Sequence, residues 1–252
     1  MNKNAFKDAF NSITPVVLPV IHVLDNEQAV KNVAIAQSAG CPGVFLINHD
    51  FPYEQFLPII THVRQQFPDF WLGVNFLAVT GLVAFPVLAD LAAGGTRVDA
   101  YWADDARINE AKPPESQEEA ANILAMKASC GWKGLYFGGT AFKKQREVHA
   151  ADYTKCAAIA RNFMDVVTTS GIATGHAADT GKIQTFRTAC DDTPLALASG
   201  ITPENFSDYR HLVDAVLVAT GINFTDDFYN IDPSKLATLL NLCKPEAMEE
   251  QT

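Results

Sequence analysis

Apolar runs of five to eight residues recur along the chain, separated by stretches with helical spacing of apolar and polar positions, and this alternation predicts parallel strands joined by crossover helices. Strands are expected over 16–23, 43–50, 71–78, 99–105, 132–139, 163–170, 194–201 and 215–222. The helices between and after them are expected at about 26–39, 53–67, 80–93, 116–129, 149–162, 179–190, 203–210 and 233–242. Asp179 ahead of Lys182-Ile-Gln-Thr-Phe-Arg187 reads as a helix start, and Thr202-Pro203-Glu204 supplies a cap, a first-turn proline and a first-turn acid. Gly40, Gly94 and Gly131 sit just past helix ends, where a left-handed residue is often required. Residues 109–119, with Pro113-Pro114 and four glutamates, read as a surface loop after the fourth strand.

Eight such alternations fit a closed barrel or an open doubly wound sheet, and both place ligands beyond the carboxyl ends of their strands. The first strand lacks a glycine-rich fingerprint, whereas glycine turns follow strands six, seven and eight. The expectation is a single-domain (β/α)8 TIM barrel over residues 1–252, with a short N-terminal extension at 1–14 and an acidic tail at 244–252. A length of 252 residues suits one such barrel, and 48% hydrophobic residues suffice for its core.

Net charge is −10 with no run of lysine or arginine, which argues against nucleic-acid or anionic-membrane surfaces. An anionic ligand would then be held mainly by backbone dipoles. Cys41, Cys130, Cys156, Cys190 and Cys243 are scattered without CxxC spacing, so neither a disulfide framework nor a metal site is indicated. Buried thiols in a reducing compartment and the absence of an apolar run of membrane-spanning length make the cytoplasm the expected location. The helix at 80–93 is apolar nearly all round, which predicts a covering partner, most simply a second copy in a two-fold homo-oligomer.

In a barrel, active-site groups come from the carboxyl ends of strands and the loops just after them. Pro194-Leu-Ala-Leu-Ala-Ser-Gly-Ile-Thr202 and Ala215-Val-Leu-Val-Ala-Thr-Gly-Ile222 end on small-residue turns of the kind that present backbone N–H groups to a phosphate. Ser170, Gly171, Ser199, Gly200, Thr220 and Gly221 are the expected phosphate loops, and the expected partner is a phosphorylated small molecule. His22, Asp50, Asp104 and Asp105 are candidates for proton transfer, with Asn48 and Asn75 as polar neighbours. Strand parity places Asn75 inward with Gly73 and Leu77, and Asn48 inward with Asp50; Phe45, Ile47 and His49 would then face the helices. Each candidate has a structural alternative: a hydrogen-bonded histidine for His22, a loop or helix cap for each aspartate. Lys143 and Lys144 would neutralise an anion or lie solvated. Lys133 lies at the wrong end of its strand for a Schiff base, and no metal-ligand spacing or cofactor signature is evident.

Met164-Asp-Val-Val-Thr-Thr-Ser-Gly-Ile-Ala-Thr-Gly-His-Ala-Ala-Asp179, Leu197-Ala-Ser-Gly-Ile-Thr-Pro-Glu-Asn205 and Val218-Ala-Thr-Gly221 together resemble the BtpA family. Leu72-Gly-Val-Asn-Phe-Leu77 is similar to that family's third strand, and Ile47-Asn-His-Asp-Phe-Pro52 more loosely to its second. The resemblance implies a TIM barrel related to ribulose-phosphate-binding barrels, in a family linked to photosystem I biogenesis and to nucleosidase-like and isomerase-like activities. The chain departs from it after His22, where Val-Leu-Asp-Asn replaces a Pro-Leu-Pro-Gly-type loop. Two expectations result: an enzyme acting on a phosphorylated sugar or ribosyl compound by isomerisation or N-glycosidic cleavage, or a non-catalytic assembly or regulatory factor that kept the barrel.

Overall fold

The computed structural model describes residues 1–12, 15–173 and 175–244, and in it eight parallel strands close into a barrel in chain order. They are β1 (Val16–Val23), β2 (Gly43–Asn48), β3 (Trp71–Asn75), β4 (Ala100–Ala103), β5 (Leu135–Gly139), β6 (Val166–Ser170), β7 (Leu195–Ala198) and β8 (Ala215–Val218). The helices are α1 (Lys3–Phe10), α2 (Asn26–Ser38), α3 (Tyr53–Gln66), α4 (Gly81–Ala93), α5 (Glu118–Cys130), α6 (Tyr153–Ala160), α7 (Thr180–Cys190) and α8 (Pro233–Cys243). The last strand pairs with the first, Ala215 opposite Val16, so the expected single-domain (β/α)8 barrel is the observed one. Several strands end before their apolar runs do, and the surplus residues form the loops at the carboxyl end. The acidic 245–252 segment of the tail lies outside the described residues.

Two expectations are corrected. No seventh crossover helix forms over 203–210; a single 3-10 turn at Phe206–Asp208 takes its place. The Asn205 side chain accepts from Thr202 N and donates to Gly200 O, so the polar groups expected to start a helix are tied to the loop. The left-handed residue after α4 is Gly95 (φ 86°) and not Gly94 (φ −79°), whereas Gly40 and Gly131 are left-handed as expected.

Alternate strand positions build two cores. One packs strands against helices; the other fills the barrel with Leu18, Phe45, Trp102, Phe137 and Leu217 among others. Gly73 makes room for the Phe45 ring, since a Cβ there would run into it. The amino end of the barrel is closed by α1, capped by Asn2, whose Phe6 and Phe10 share one helix face and pack on Phe137 and Trp71 at 6.3 and 5.0 Å between centroids.

That end also carries a recurring device. Asp99, Asp165 and Asp214, each just ahead of β4, β6 or β8, accept through Oδ2 from Leu72 N, Tyr136 N and Leu195 N of the preceding strand. Each also pairs with a cation from the helix that leads into that preceding strand: Arg64 of α3 at 2.7 Å, Lys127 of α5 at 2.6 Å and Arg187 of α7 at 2.6 Å. The three units repeat a helix, β-strand and aspartate without a repeated sequence around them. On α4, Leu82 and Val83 are 43% and 48% exposed, and Leu124 of the neighbouring α5 is 40% exposed. Among the described residues no helix is long and apolar enough to cross a membrane.

Candidate functional site

At the carboxyl end the barrel opens into a cavity of about 260 Å³ lined by His22, His49, Trp102 and Asp104, by Lys143 and Lys144 from the β5 loop, and by the β7 and β8 loops. His22 ends the inward row of β1, and its Nδ1 lies 2.9 Å from Phe228 O. A carbonyl only accepts, so Nδ1 carries the proton and Nε2 of the neutral ring carries the lone pair. The imidazole stacks on the Phe228 ring at 3.8 Å and 4°, with His49 edge-on at 4.8 Å. Burial pushes the His22 pKa down to about 4, against the raising effect of the Phe228 carbonyl, so the ring is neutral near pH 7.

Phe228 belongs to the segment between β8 and α8, which is tied across the barrel seam. Tyr229 O accepts from Gln28 Nε2 and Asn32 Nδ2 of α2, Asn223 Nδ2 donates to Phe228 O, and Tyr229 Oη donates to Asp50 Oδ2. This strap fixes the His22 tautomer from the last loop of the barrel.

Asp104 directly follows β4. Gly139 lets it sit close, because a Cβ there would run into the Asp104 carbonyl, and Ala106 N donates to Gly139 O at 2.8 Å. Burial raises the Asp104 pKa, while the hydrogen bond from Asn75 Nδ2 at 3.0 Å and the charge of Lys143 oppose the rise. Asn75 is fully buried and faces inward as expected, and its Oδ1 has no hydrogen-bond partner among the described residues. Trp102 Nε1 and Thr168 Oγ1 are likewise buried without a partner. Each of these three residues lies on an inward-facing row of its strand.

On the other side, Ser199 (φ 72°) and Gly200 (φ 75°) are consecutive left-handed residues. Their neighbours press closely: a Cβ on Gly200 would strike the His176 carbonyl, and one on Gly221 the Ile201 carbonyl. The backbone N–H groups of Gly200, Thr220 and Gly221 donate to no other described residue. Ser199, Gly200 and Thr220 line the cavity, and Gly221 adjoins it. Glycine is therefore required here by packing of loop on loop as well as being suited to a ligand.

Several sequence candidates are placed elsewhere. The parity assigned to β2 is reversed: Phe45 and Ile47 fill the barrel and His49 reaches the cavity, whereas Asn48 shares the helix-facing row of Val44 and Leu46. Both faces of a parallel strand are buried, so the apolar pattern carries no phase and the polar end residues misled the assignment. Asn48 accepts from Leu77 N and donates to Phe51 O, a bracing role. Asp50 is exposed and lies off the cavity lining. Asp105 accepts from Arg107 N and pairs with the Arg107 guanidinium at 3.5 Å, closing a turn. Ser170 Oγ accepts from Lys143 N and donates to Gly171 O, and Gly171 lines a neighbouring cavity instead. Asp179 caps α7 as expected, accepting from Lys182 N.

Sequence reasoning missed Phe228, Tyr229, Trp102 and Lys182. Lys182 looks like an ordinary helical lysine, yet it is buried and donates to Ala141 O and Ser170 O, both at 2.6 Å. Burial lowers its pKa to about 8. Among the described residues, no group of three or more histidine, cysteine, aspartate or glutamate side chains is placed to hold a metal ion.

No protein-family model and no curated protein matches the chain in sequence. Solved structures match its shape. Phosphoribosyl anthranilate isomerase from Thermus thermophilus is similar over 90% of this chain and 96% of its own, with TM-score 0.60 and 13% identity. Tryptophan synthase alpha chain from Legionella pneumophila is similar over 96% and 97%, with TM-score 0.63 and 14% identity. A structure described as native KDPGal is similar over 89% and 92%, with TM-score 0.60 and 12% identity. At these identities the likeness establishes the barrel fold.

Proposed function

We propose that the chain is an enzyme that isomerises a phosphorylated sugar or ribosyl small molecule at the carboxyl-end cavity. The observation that carries this reading is the convergence, around one cavity, of a neutral histidine with a free Nε2, an acid of raised pKa and a pair of glycine loops with uncommitted N–H groups. A phosphate would accept from the β7 and β8 loops, where small residues allow close approach. His22 Nε2 would take a proton from the carbon next to a substrate carbonyl, and Asp104, whose acid form burial favours, would deliver one to the carbonyl oxygen. The resulting enediol would be resolved when protonated His22 gives its proton to the former carbonyl carbon and the Asp104 carboxylate takes the hydroxyl proton from the neighbouring carbon, which becomes the new carbonyl, returning both groups to their starting states.

Isomerisation is favoured over N-glycosidic cleavage because, among the described residues, Asp104 is the only carboxylate on the cavity lining, whereas hydrolysis at an anomeric carbon generally uses two. The neighbour named phosphoribosyl anthranilate isomerase carries the same combination of ribosyl phosphate and isomerisation in its name. The reading also includes a BtpA-type affiliation, a cytoplasmic setting and a homo-oligomer joined through the exposed α4 face, the last of which light scattering checks directly.

The deciding experiment is proton NMR of a panel of aldose and ketose phosphates in deuterated water. Solvent deuterium should enter at the carbon beside the carbonyl of at least one compound, and His22→Gln should abolish the exchange. If no compound exchanges while phosphates still bind, the non-catalytic reading replaces this one.

A further inference from the structure

Lys143 and Lys144 are the two lysines that line the mouth cavity of an acidic chain, and neither forms an ion pair with a described residue. Their loop is nevertheless held firmly. Thr140 N donates to Thr168 O, Lys143 N to Ser170 Oγ, and buried Lys182 to Ala141 O, while Arg146 is paired with Glu110. Lys144 is held in the left-handed region (φ 58°), a costly setting for a side chain with a Cβ, which the anchors on either side maintain. Burial lowers the Lys143 pKa, with Asp104 opposing it, so that an anion bound beside it would recover part of the desolvation cost.

The position of this loop matters as much as its charge. In the closed order β5 lies two strands from β7 and three from β8, so the lysines enter the cavity from a different quarter than the glycine loops. They also wall a second cavity, of about 360 Å³, that includes Gly171 and Lys182 but no residue of the β7 or β8 loops. The cationic surface thus runs away from the N–H groups that suit a phosphate.

We infer that the ligand of the mouth cavity is anionic at both ends, with its phosphate on the β7 and β8 loops and a second anionic group, carboxylate or phosphate, on Lys143 and Lys144. The inference rests on the proposed phosphate site and adds a substrate class to it: phosphorylated sugar acids or bisphosphates in preference to simple sugar phosphates. The reacting carbons then lie between the two anchors, beside His22 and Asp104, and the length of the ligand is set by the span of the cavity.

Calorimetric titration with ribulose monophosphate, ribulose bisphosphate and phosphogluconate tests this on the wild-type chain, on Lys144→Met and on the double variant Lys143→Met/Lys144→Met. At least one doubly anionic compound should bind about tenfold more tightly than the monophosphate, the size of one charge-assisted contact. Lys144→Met should remove most of that advantage while changing monophosphate affinity less than about twofold, and the double variant should remove the remainder. Bisphosphate against phosphogluconate identifies the second group. Equal affinity for single and double anions overturns the inference, as does a lysine substitution that weakens the monophosphate equally, since both lysines would then hold the same phosphate. If the monophosphate, the other two compounds and inorganic phosphate all fail to bind, the phosphate site itself falls. Unchanged thermal unfolding of the variants, expected for residues on a loop, shows that affinity and not folding is being read.

Discussion

The two ends of this barrel are built from the same eight strands and obey different rules. At the amino end three aspartates each join a strand N–H to a helix cation, and α1 seals the opening with aromatic rings. At the carboxyl end Trp102 Nε1 and Asn75 Oδ1 are buried without partners, Ser199 and Lys144 adopt left-handed backbone, and His22 and Asp104 carry shifted pKa values. Satisfied polar groups contribute stability; unsatisfied and strained ones cost it and persist where a ligand completes them. The contrast assigns stability to one end of the molecule and agrees with the chemistry proposed for the other.

Breaking the amino end should have the largest effect. Asp214→Ala leaves the mostly buried Arg187 uncompensated and frees Leu195 N, and should lower stability by about 3–5 kcal/mol in urea unfolding with ligand affinity unchanged. At the carboxyl end the order inverts: His22→Gln should reduce turnover by at least ~10²-fold while shifting stability little. A variant that lost both in equal measure would erase the distinction between the ends.

His22 also links the two properties through pH. Its pKa falls from 6.5 to about 4 on folding, so between those values the unfolded chain binds a proton that the folded chain refuses. Stability from this group is complete above pH 6.5, declines as pH drops toward 4 and falls no further below it, by up to about 3 kcal/mol. Denaturation of the wild type and of His22→Gln across that window should show the slope in the first and its reduction in the second.

Smaller effects sharpen the boundary. Gly221→Ala should cost more than about 1 kcal/mol and weaken phosphate binding together, because its Cβ meets the Ile201 carbonyl; on the proposed reading the glycine serves packing and ligand at once. Asp50→Asn should change stability by less than about 0.5 kcal/mol, as its exposed carboxylate holds only Tyr229, and should reduce turnover far less than Asp104→Asn. Equal losses in the two aspartate variants would return Asp50 to the chemistry.

Much of this architecture is legible without coordinates. The strand starts of β1, β2, β3 and β8, the caps at Asp179 and Gly131, and the closed barrel follow from apolar runs and turn residues, which are local properties. His22, Asp104 and the β7 and β8 turns are found by their place at strand ends. Phase along β2 is hidden because its two faces are equally apolar, and Phe228 and Lys182 are hidden because what they touch lies far away in sequence. Phe228 meets His22 from 206 positions on, and nothing near either residue marks the contact. The aspartates ahead of β4, β6 and β8 escape notice because the repeat lives in hydrogen bonds and not in letters.

The aromatic floor sets an order of events during synthesis. α1 is made before the barrel strands, yet its seats are Trp71 at the start of β3 and Phe137 in β5, and Lys3 N donates to Asp192 O just ahead of β7. This helix therefore has to wait for most of the barrel before it can dock, and during that interval Phe6 and Phe10 remain open to whatever binds nascent apolar segments.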